Sequence, residues 1–353
     1  MADRRRAMLE LRLLCQPGVG IASIAPELCR LIRDIVPSDS GAVAWVDEAG
    51  MPVGFFHEQQ PPALKELFAN DYQSLFMGPG EFGVAWMLGQ RRTTIGNWMG
   101  APGAEVERSN TYNLYMRPLG HRHLLEARVE VDGRPRALFT FYREARWPFD
   151  DADVARFRLI EPLLQRAASD APVAWTNDGR PDEYLIVDAT GRRLLAQSGG
   201  AGTLLQDATF IGQGVSLVGG LSEPPVFVRQ VAEGVARGEP GVIALPVAAG
   251  MLNARATALT GLGHEGRAEP QLLVTLGFSR PKSVQVLRPV LDLHLSPLRS
   301  EIAQFAASGG RRLDAPRHLG ISKAALKKHL AEIYRASGAR EWDEIGPVLT
   351  ASV

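Results

Sequence analysis

The sequence predicts an α+β protein in which two antiparallel sheets backed by helices precede an all-α C-terminal region. Apolar residues recur with the period of two that strands require, in pairs of segments joined by Gly- and Asp-containing turns. Amphipathic helical patterns lie between these pairs, and after residue 284 the pattern changes to short, closely spaced helices. Because 353 residues exceed what one core usually supports, we expect three domains, 1–168, 184–284 and 285–353.

The first domain alternates helices with strand pairs. Its predicted elements are a helix over 24–36, a strand–turn–strand unit over 40–58, a helix over 61–76, a hairpin over 124–144 and a helix over 149–168. Pro37 ends the first of these helices, and Pro61 and Pro62 start the second. In the hairpin, DGRP forms the turn and alternate apolar residues share one face. We therefore expect an antiparallel sheet backed by helices.

A segment rich in Pro, Asp, Asn and Gly, residues 169–183, is predicted to link the first two domains. The second domain has the same kinds of element as the first. Its predicted elements are a strand–turn–strand unit over 183–198, a helix over 224–238 and strands over 241–247, 252–262 and 270–280. These patterns predict a second, smaller sheet with one or two helices.

The bulk composition is that of an ordinary globular protein. Lys+Arg 39 balances Asp+Glu 39, so a nucleic-acid site would have to be local. Cys15 and Cys29 form neither a disulfide framework nor a CxxC pair, and no apolar run is long enough to span a membrane. We therefore expect a soluble cytoplasmic protein without a cofactor.

The C-terminal region carries a three-helix pattern with clear start and stop signals. Ser296 and Pro297 begin the first helix, which Gly309 and Gly310 end. A short helix is predicted from Asp314 to Leu319. Gly320 then forms a turn, and Ser322 caps a third helix. This order of elements is that of a helix-turn-helix.

The third helix has an apolar face and an opposite basic face. Leu326, Leu330 and Ile333 recur at i, i+4 and i+7 and are predicted to lie inward. The residues predicted to contact DNA are Ser322, Lys323, Ala324, Lys327, Lys328 and Arg335. Lysines can neutralise phosphates or donate to guanine, and alanines permit close approach. Residues 285–353 contain ten basic and seven acidic residues, a local excess of three positive charges.

Residues 295–345 resemble the LuxR-type helix-turn-helix domain. The likeness is carried by Leu295-Ser296-Pro297, Glu301, Gly309 and Leu319 to Ser322, and continues through Lys327, His329, Leu330, Ile333, Tyr334 and Gly338. The resemblance implies that Lys323, Lys327 and Lys328 lie on a DNA-recognition helix. Two pairs of residues depart from that family's pattern, namely Ala315-Pro316 and Gly346-Pro347.

The two preceding domains resemble sensor domains, the first GAF-like and the second PAS-like. Together these resemblances imply a one-component transcriptional regulator, in which a small-molecule effector changes how a homodimer binds double-stranded DNA. We expect the effector pocket beneath the loops that cover the first sheet, lined by aromatic and polar side chains. The candidate ligand-binding residues are Phe82, Trp86, Trp98, Tyr112, Tyr115 and His123.

Two other functions remain open. The chain could be a ligand- or partner-binding protein whose C-terminal domain no longer binds DNA, and Pro316, Gly346 and Pro347 favour this alternative. A thiol enzyme is supported only by Cys15 and Cys29. The tripeptide His121-Arg122-His123 has no further ligands at metal-binding spacing, so we predict no metal site and no enzymatic activity.

Overall fold

The fold is mixed α and β. The computed structural model describes residues 2–89, 95–96, 104–144, 147–215, 221–259 and 270–351. It contains two antiparallel sheets followed by a region made only of helices. The α+β class predicted from the sequence is therefore confirmed.

The first sheet has the strand order β2-β1-β5-β4-β3. Its strands are β1 (Ser40–Val46), β2 (Pro52–His57), β3 (Ile95–Gly96), β4 (His123–Val131) and β5 (Arg134–Arg143). The predicted hairpin is β4–β5, with Leu125 opposite Phe141 and Ala127 opposite Phe139. Asp132 and Gly133 both have positive φ, as the predicted turn between these strands requires.

Helices cover both faces of this sheet. They are α1 (Ala2–Leu14), α2 (Ala25–Ile35), α3 (Pro62–Asn70), α4 (Tyr72–Phe76), α5 (Val84–Gly89), α6 (Ala104–Glu107) and α7 (Asp151–Ala167), with a π-helical turn over Thr111–Met116. Residues of α1, α2 and α7 form one apolar core with one face of the sheet. Residues of α3, α4 and the π-helical turn form another core with the opposite face.

The helix predicted over 61–76 is two helices, α3 and α4. Helix α3 ends at Asp71, whose amide donates the last hydrogen bond of the helix to the Leu67 carbonyl at 2.9 Å. Asn70 and Asp71 favour helix ends because their side chains compete for backbone hydrogen bonds. The break lets Phe68, Tyr72 and Phe76 all pack on the sheet.

The second sheet has the order β8-β7-β11-β10-β9, and β6 also pairs with β11. Its strands are β6 (Trp175–Asn177), β7 (Glu183–Asp188), β8 (Leu194–Gln197), β9 (Val242–Val247), β10 (Gly250–Leu259) and β11 (Gln271–Pro281). One face packs against α8 (Ala201–Asp207) and α9 (Val226–Ala236). Strand β6 lies inside the predicted linker. Because β11 extends beyond the end of β7, residues 175–177 can pair with its free edge.

Hydrogen bonds join the two sheets at the outer edge of the first. The Phe55 amide donates to the Thr209 carbonyl, and the Ile211 amide donates to Val53, both at 3.1 Å. The Trp45 indole donates to the Pro246 carbonyl at 3.1 Å. Residues 209–211, from the layer of the second sheet, therefore pair alongside the edge strand β2.

The C-terminal region consists of α10 (Lys282–Gln285), α11 (Leu287–Asp292), α12 (Pro297–Ala307), α13 (Ala315–Leu319), α14 (Lys323–Ser337) and α15 (Ile345–Ala351). Its apolar core includes Ile302 and Ala306 of α12, Leu330 and Ile333 of α14, and Ile345 of α15. Among the described residues, no helix has the length and apolar character needed to cross a membrane.

Candidate nucleic-acid interface and effector pocket

A tight turn joins α13 to α14. Gly320 ends α13 with a φ of 66°, in the left-handed region that favours glycine, and the Ile321 amide donates to the Pro316 carbonyl at 2.9 Å. Ser322 begins α14, and its Oγ accepts a hydrogen bond from the Ala325 amide at 3.1 Å. Both end signals read from the sequence are therefore present, and α13 begins one residue later than predicted.

The two faces of α14 are those expected from its spacing. Leu326, Leu330 and Ile333 are buried against α12. The residues predicted to contact DNA are all exposed, namely Ser322, Lys323, Ala324, Lys327, Lys328 and Arg335. We call the side chains of Lys323, Lys327, Lys328 and Arg335 the basic face.

The side chains of the basic face are not neutralised by acidic side chains of the described residues. Three of the chain's five lysines lie on α14. Within the described part of the chain, none of the four basic-face residues forms an ion pair. The nearby Glu332 carboxylate instead pairs with Arg299 of α12 at 2.7 Å. The positive charges of α14 are therefore available to an anionic partner.

Pro316 and Pro347, which depart from the family pattern, both lie where a helix tolerates proline. Pro316 lies in the first turn of α13, where its missing amide costs no hydrogen bond. Pro347 lies in the first turn of α15. Gly346 packs against α12 so closely that a Cβ there would be 2.8 Å from the Ala307 carbonyl oxygen. The Gly-Pro pair therefore allows α15 to contact α12 closely.

Aromatic contacts hold the loop before α13. The Trp342 indole donates to the Gly310 carbonyl at 2.7 Å, and the Phe305 ring stacks on His318 with centroids 4.5 Å apart. Burial lowers the pKa of His318.

No protein-family model matches the chain, and no curated protein is similar to it in sequence.

An aromatic cavity lies between the first sheet and the helices that cover it. Its volume is about 30 Å³, enough for a molecule the size of water. Its walls are formed by Phe55, Phe68, Tyr72, Phe76, Gly83, Val84, Met87, Thr111, Tyr115, Thr140 and Tyr142. A molecule larger than water does not fit this cavity as it stands.

Of the five predicted ligand-binding residues that the structure describes, one, Tyr115, lines this cavity. Phe82 and Trp86 are half-buried and contact each other edge to face, with centroids 4.9 Å apart. Tyr112 and His123 are half-buried outside the cavity wall. Trp98 lies outside the described residues.

A chain of hydroxyl groups that the sequence analysis missed runs along the cavity wall. The Tyr115 hydroxyl donates to Tyr142 at 2.7 Å, and the Tyr142 hydroxyl donates to Thr140 Oγ1 at 2.7 Å. Thr140 and Tyr142 alternate along β5 with Phe139 and Phe141, which pack on the opposite face. This alternation of hydroxyl and Phe side chains could have identified the hydroxyl groups from the sequence, because successive residues of a strand point to opposite faces of the sheet.

Glu126 lies beside this wall, opposite Thr140 on β4. It is only 6% exposed, and its Oε2 has no hydrogen-bond partner among the described residues. Burial raises the pKa of this carboxyl to about 8, although Arg128 opposes the shift. The group therefore holds its proton at neutral pH.

Two buried histidines lie behind the tyrosines. His57 Nε2 and His121 Nε2 are 3.1 Å apart, and His57 Nδ1 accepts a hydrogen bond from the Gln59 amide at 3.0 Å. Burial lowers the pKa of His57 to about 3 and that of His121 to about 4, so both rings are neutral. Neutral His57 then carries its proton on Nε2 and donates to His121.

This tautomer does not suit metal ligation, because the proton occupies the nitrogen that faces His121. His123 does not join the pair, and the described residues contain no group of three or more potential metal ligands.

A larger open groove of about 1060 Å³ lies between α1, α2, the end of β11 and α10–α11. Most of its arginines have acidic partners: Arg30 pairs with Glu10, Arg180 and Arg280 with Asp178, and Arg288 with Asp292. The groove is lined by five arginines and four carboxylates, so its charge is nearly balanced and gives no strong preference for anions.

Both thiols lie in the core. Cys15 and Cys29 are fully buried. Burial raises the pKa of Cys15 to about 12 and also raises the pKa of Cys29. Because the thiolate is the reactive form, this environment does not favour a thiol enzyme.

Proposed function

We propose that the chain is a DNA-binding transcriptional regulator rather than an enzyme, with LuxR-type helix-turn-helix chemistry in its C-terminal region. The observation that carries the proposal is the basic face of α14, which is exposed, unpaired and immediately follows a tight turn. A helix with this surface fits the major groove, where its first turns reach base edges and its lysines reach phosphates.

The regulator acts as a homodimer on two half-sites. Two copies of α14 about 34 Å apart would then bind successive turns of the major groove. The first two domains, GAF-like and PAS-like, form the sensor half. A small-molecule effector binds the first domain on the sheet face that carries the hydroxyl chain of Tyr115, Tyr142 and Thr140. Because the closed cavity is small, effector binding is coupled to movement of the covering helices.

The test is DNA binding by Lys327→Ala/Lys328→Ala as a function of salt, on duplexes that the wild type selects from a random pool. The variant should bind more weakly, and its slope of log affinity against log salt should be shallower by about 2 if both lysines contact phosphates. Lys65→Ala/Arg192→Ala removes two positive charges from the sensor half and serves as the matched control.

The two outcomes separate the candidate functions. A salt slope that is equal in the wild type, the variant and the control would contradict a DNA-binding role for α14. A wild type that selects no duplex would favour the alternative of a ligand- or partner-binding protein. A thermal-shift screen of metabolites on the full chain then searches for the effector, since a ligand stabilises the state it binds.

A further inference from the structure

Gln304 of α12 is a buried polar side chain whose hydrogen bonds all leave its own helix. It is 2% exposed. Its Nε2 donates to the Leu13 carbonyl at 2.9 Å and to the Ser283 carbonyl at 3.0 Å, and its Oε1 accepts from Gln16 Nε2 at 3.1 Å. One amide therefore joins α12 to α1, to the turn after α1 and to α10.

The contact continues into the sensor half. Gln16 Oε1 accepts a hydrogen bond from the Arg166 guanidinium at 3.1 Å, near the end of α7. Leu13 is among the last residues of α1, whose carbonyls have no partner within the helix. The Leu13 carbonyl accepts hydrogen bonds from two side chains, Gln304 Nε2 at 2.9 Å and Gln16 Nε2 at 3.1 Å. At the rim, Arg12 pairs with Glu301 at 3.4 Å.

These bonds anchor α12 to the sensor half. Helix α12 shares one apolar core with α14, the helix that carries the basic face. Helix α7 packs through Phe157 on Phe139 and Phe141, on the opposite face of the sheet from the effector cavity. The Gln304 network thus connects α7, which packs on the first sheet, with α12, which packs against α14.

We propose that Gln304 holds the C-terminal region against the sensor half, and that this docked arrangement is the one that binds two half-sites. The second part rests on the proposed function. In the docked state the basic face is exposed, so docking does not block DNA. Docking instead fixes the orientation of the recognition helix, which a dimer needs if both copies are to engage one duplex.

The first experiment compares Gln304→Met with Gln285→Met, the same substitution at an exposed position on α10. Hydrogen exchange at 297–307 and at the end of α1 should quicken in Gln304→Met only. Affinity for the two-half-site duplex should fall by about tenfold, whereas affinity for a duplex with a single half-site should stay within about twofold. Equal losses on both duplexes, or unchanged exchange, would overturn the proposal.

A second experiment covers the case in which Gln304→Met misfolds. Arg12→Cys/Glu301→Cys places two thiols at the rim, where a short bis-maleimide can join them, while buried Cys15 and Cys29 stay unreactive. The joined protein should retain wild-type affinity for the two-half-site duplex. If the cross-linked protein lost DNA binding while the same variant without cross-linker kept it, the docked state would be inhibitory. That result would refute the inference.

Failure of the proposed function can be distinguished from failure of the docking inference. If the wild type selects no duplex, the regulator proposal fails and the DNA-binding part of this inference falls with it. The docking part is still decided by hydrogen exchange and by the cross-linking yield.

Discussion

The Ser322 hydroxyl accepts a hydrogen bond from the Ala325 amide at 3.1 Å and thereby caps α14. The same residue lies at the exposed end of the basic face, so one side chain serves helix stability and is predicted to contact DNA. Substitutions that separate these two roles are available.

Ser322→Ala should destabilise α14 by about 1 kcal/mol, because the Ala325 amide loses its partner. Ser322→Asp preserves the cap and also suits the positive end of the helix dipole, so α14 should remain stable. Hydrogen exchange of the α14 amides measures both effects. DNA affinity should nevertheless fall in the aspartate variant, since it adds a negative charge beside Lys323. Equal exchange in all three proteins would show that the cap contributes nothing.

Gly346→Ala should destabilise the packing of α15 on α12 by about 1–3 kcal/mol, because the new methyl group meets the Ala307 carbonyl. The matched control is Gly234→Ala in α9, where the nearest atom to a Cβ is 3.5 Å away. That change should be neutral or stabilising by up to ~1 kcal/mol, since alanine is the better helix former. Urea unfolding of the full chain measures both. Equal stability of the two variants would contradict the close contact.

Sequence reasoning succeeds where the signal is local. The inward face of α14 follows from the spacing of Leu326, Leu330 and Ile333, and its start follows from Ser322. The β4–β5 hairpin likewise follows from alternation around Asp132 and Gly133. In each case one short segment contains the whole signal, since neighbouring side chains determine both the face and the turn.

It fails where distant segments meet. His57 and His121 are 64 positions apart, and Gln16 and Gln304 are 288 apart. Neither pair has a pattern that spacing could detect, because packing alone brings its members together. The aromatic residues expected in the effector pocket were chosen from segments 81–100 and 109–123, whereas the cavity wall also includes residues of α3, α4, β2 and β5. Tyr115 was found because it lies in both sets.

The two native thiols should not react with a disulfide reagent in the folded protein at pH 8. Cys15 and Cys29 are fully buried, and burial raises the pKa of each. Both should react once urea unfolds the chain. Rapid labelling of either thiol before unfolding would restore the thiol-enzyme hypothesis, which the buried positions of the two cysteines disfavour.

Glu126 should make the protein less stable as pH rises. A glutamate carboxyl in water has a pKa of 4.5, whereas burial raises the pKa of Glu126 in the folded protein to about 8. Between these values the folded state holds a proton that the unfolded state has released, so stability from this group is present at pH 4.5 and lost towards pH 8. The total loss is on the order of a few kcal/mol.

Glu126→Gln keeps the shape of the side chain and removes the titration. The difference in unfolding free energy between variant and wild type should therefore grow in favour of the variant from pH 5 to pH 8. Comparing the two proteins at each pH cancels the opposite contribution of His57 and His121, whose lowered pKa values favour unfolding as pH falls. Urea unfolding at several pH values measures the difference. A constant difference across this range would show that Glu126 is ionised in the folded protein and reaches a partner or solvent.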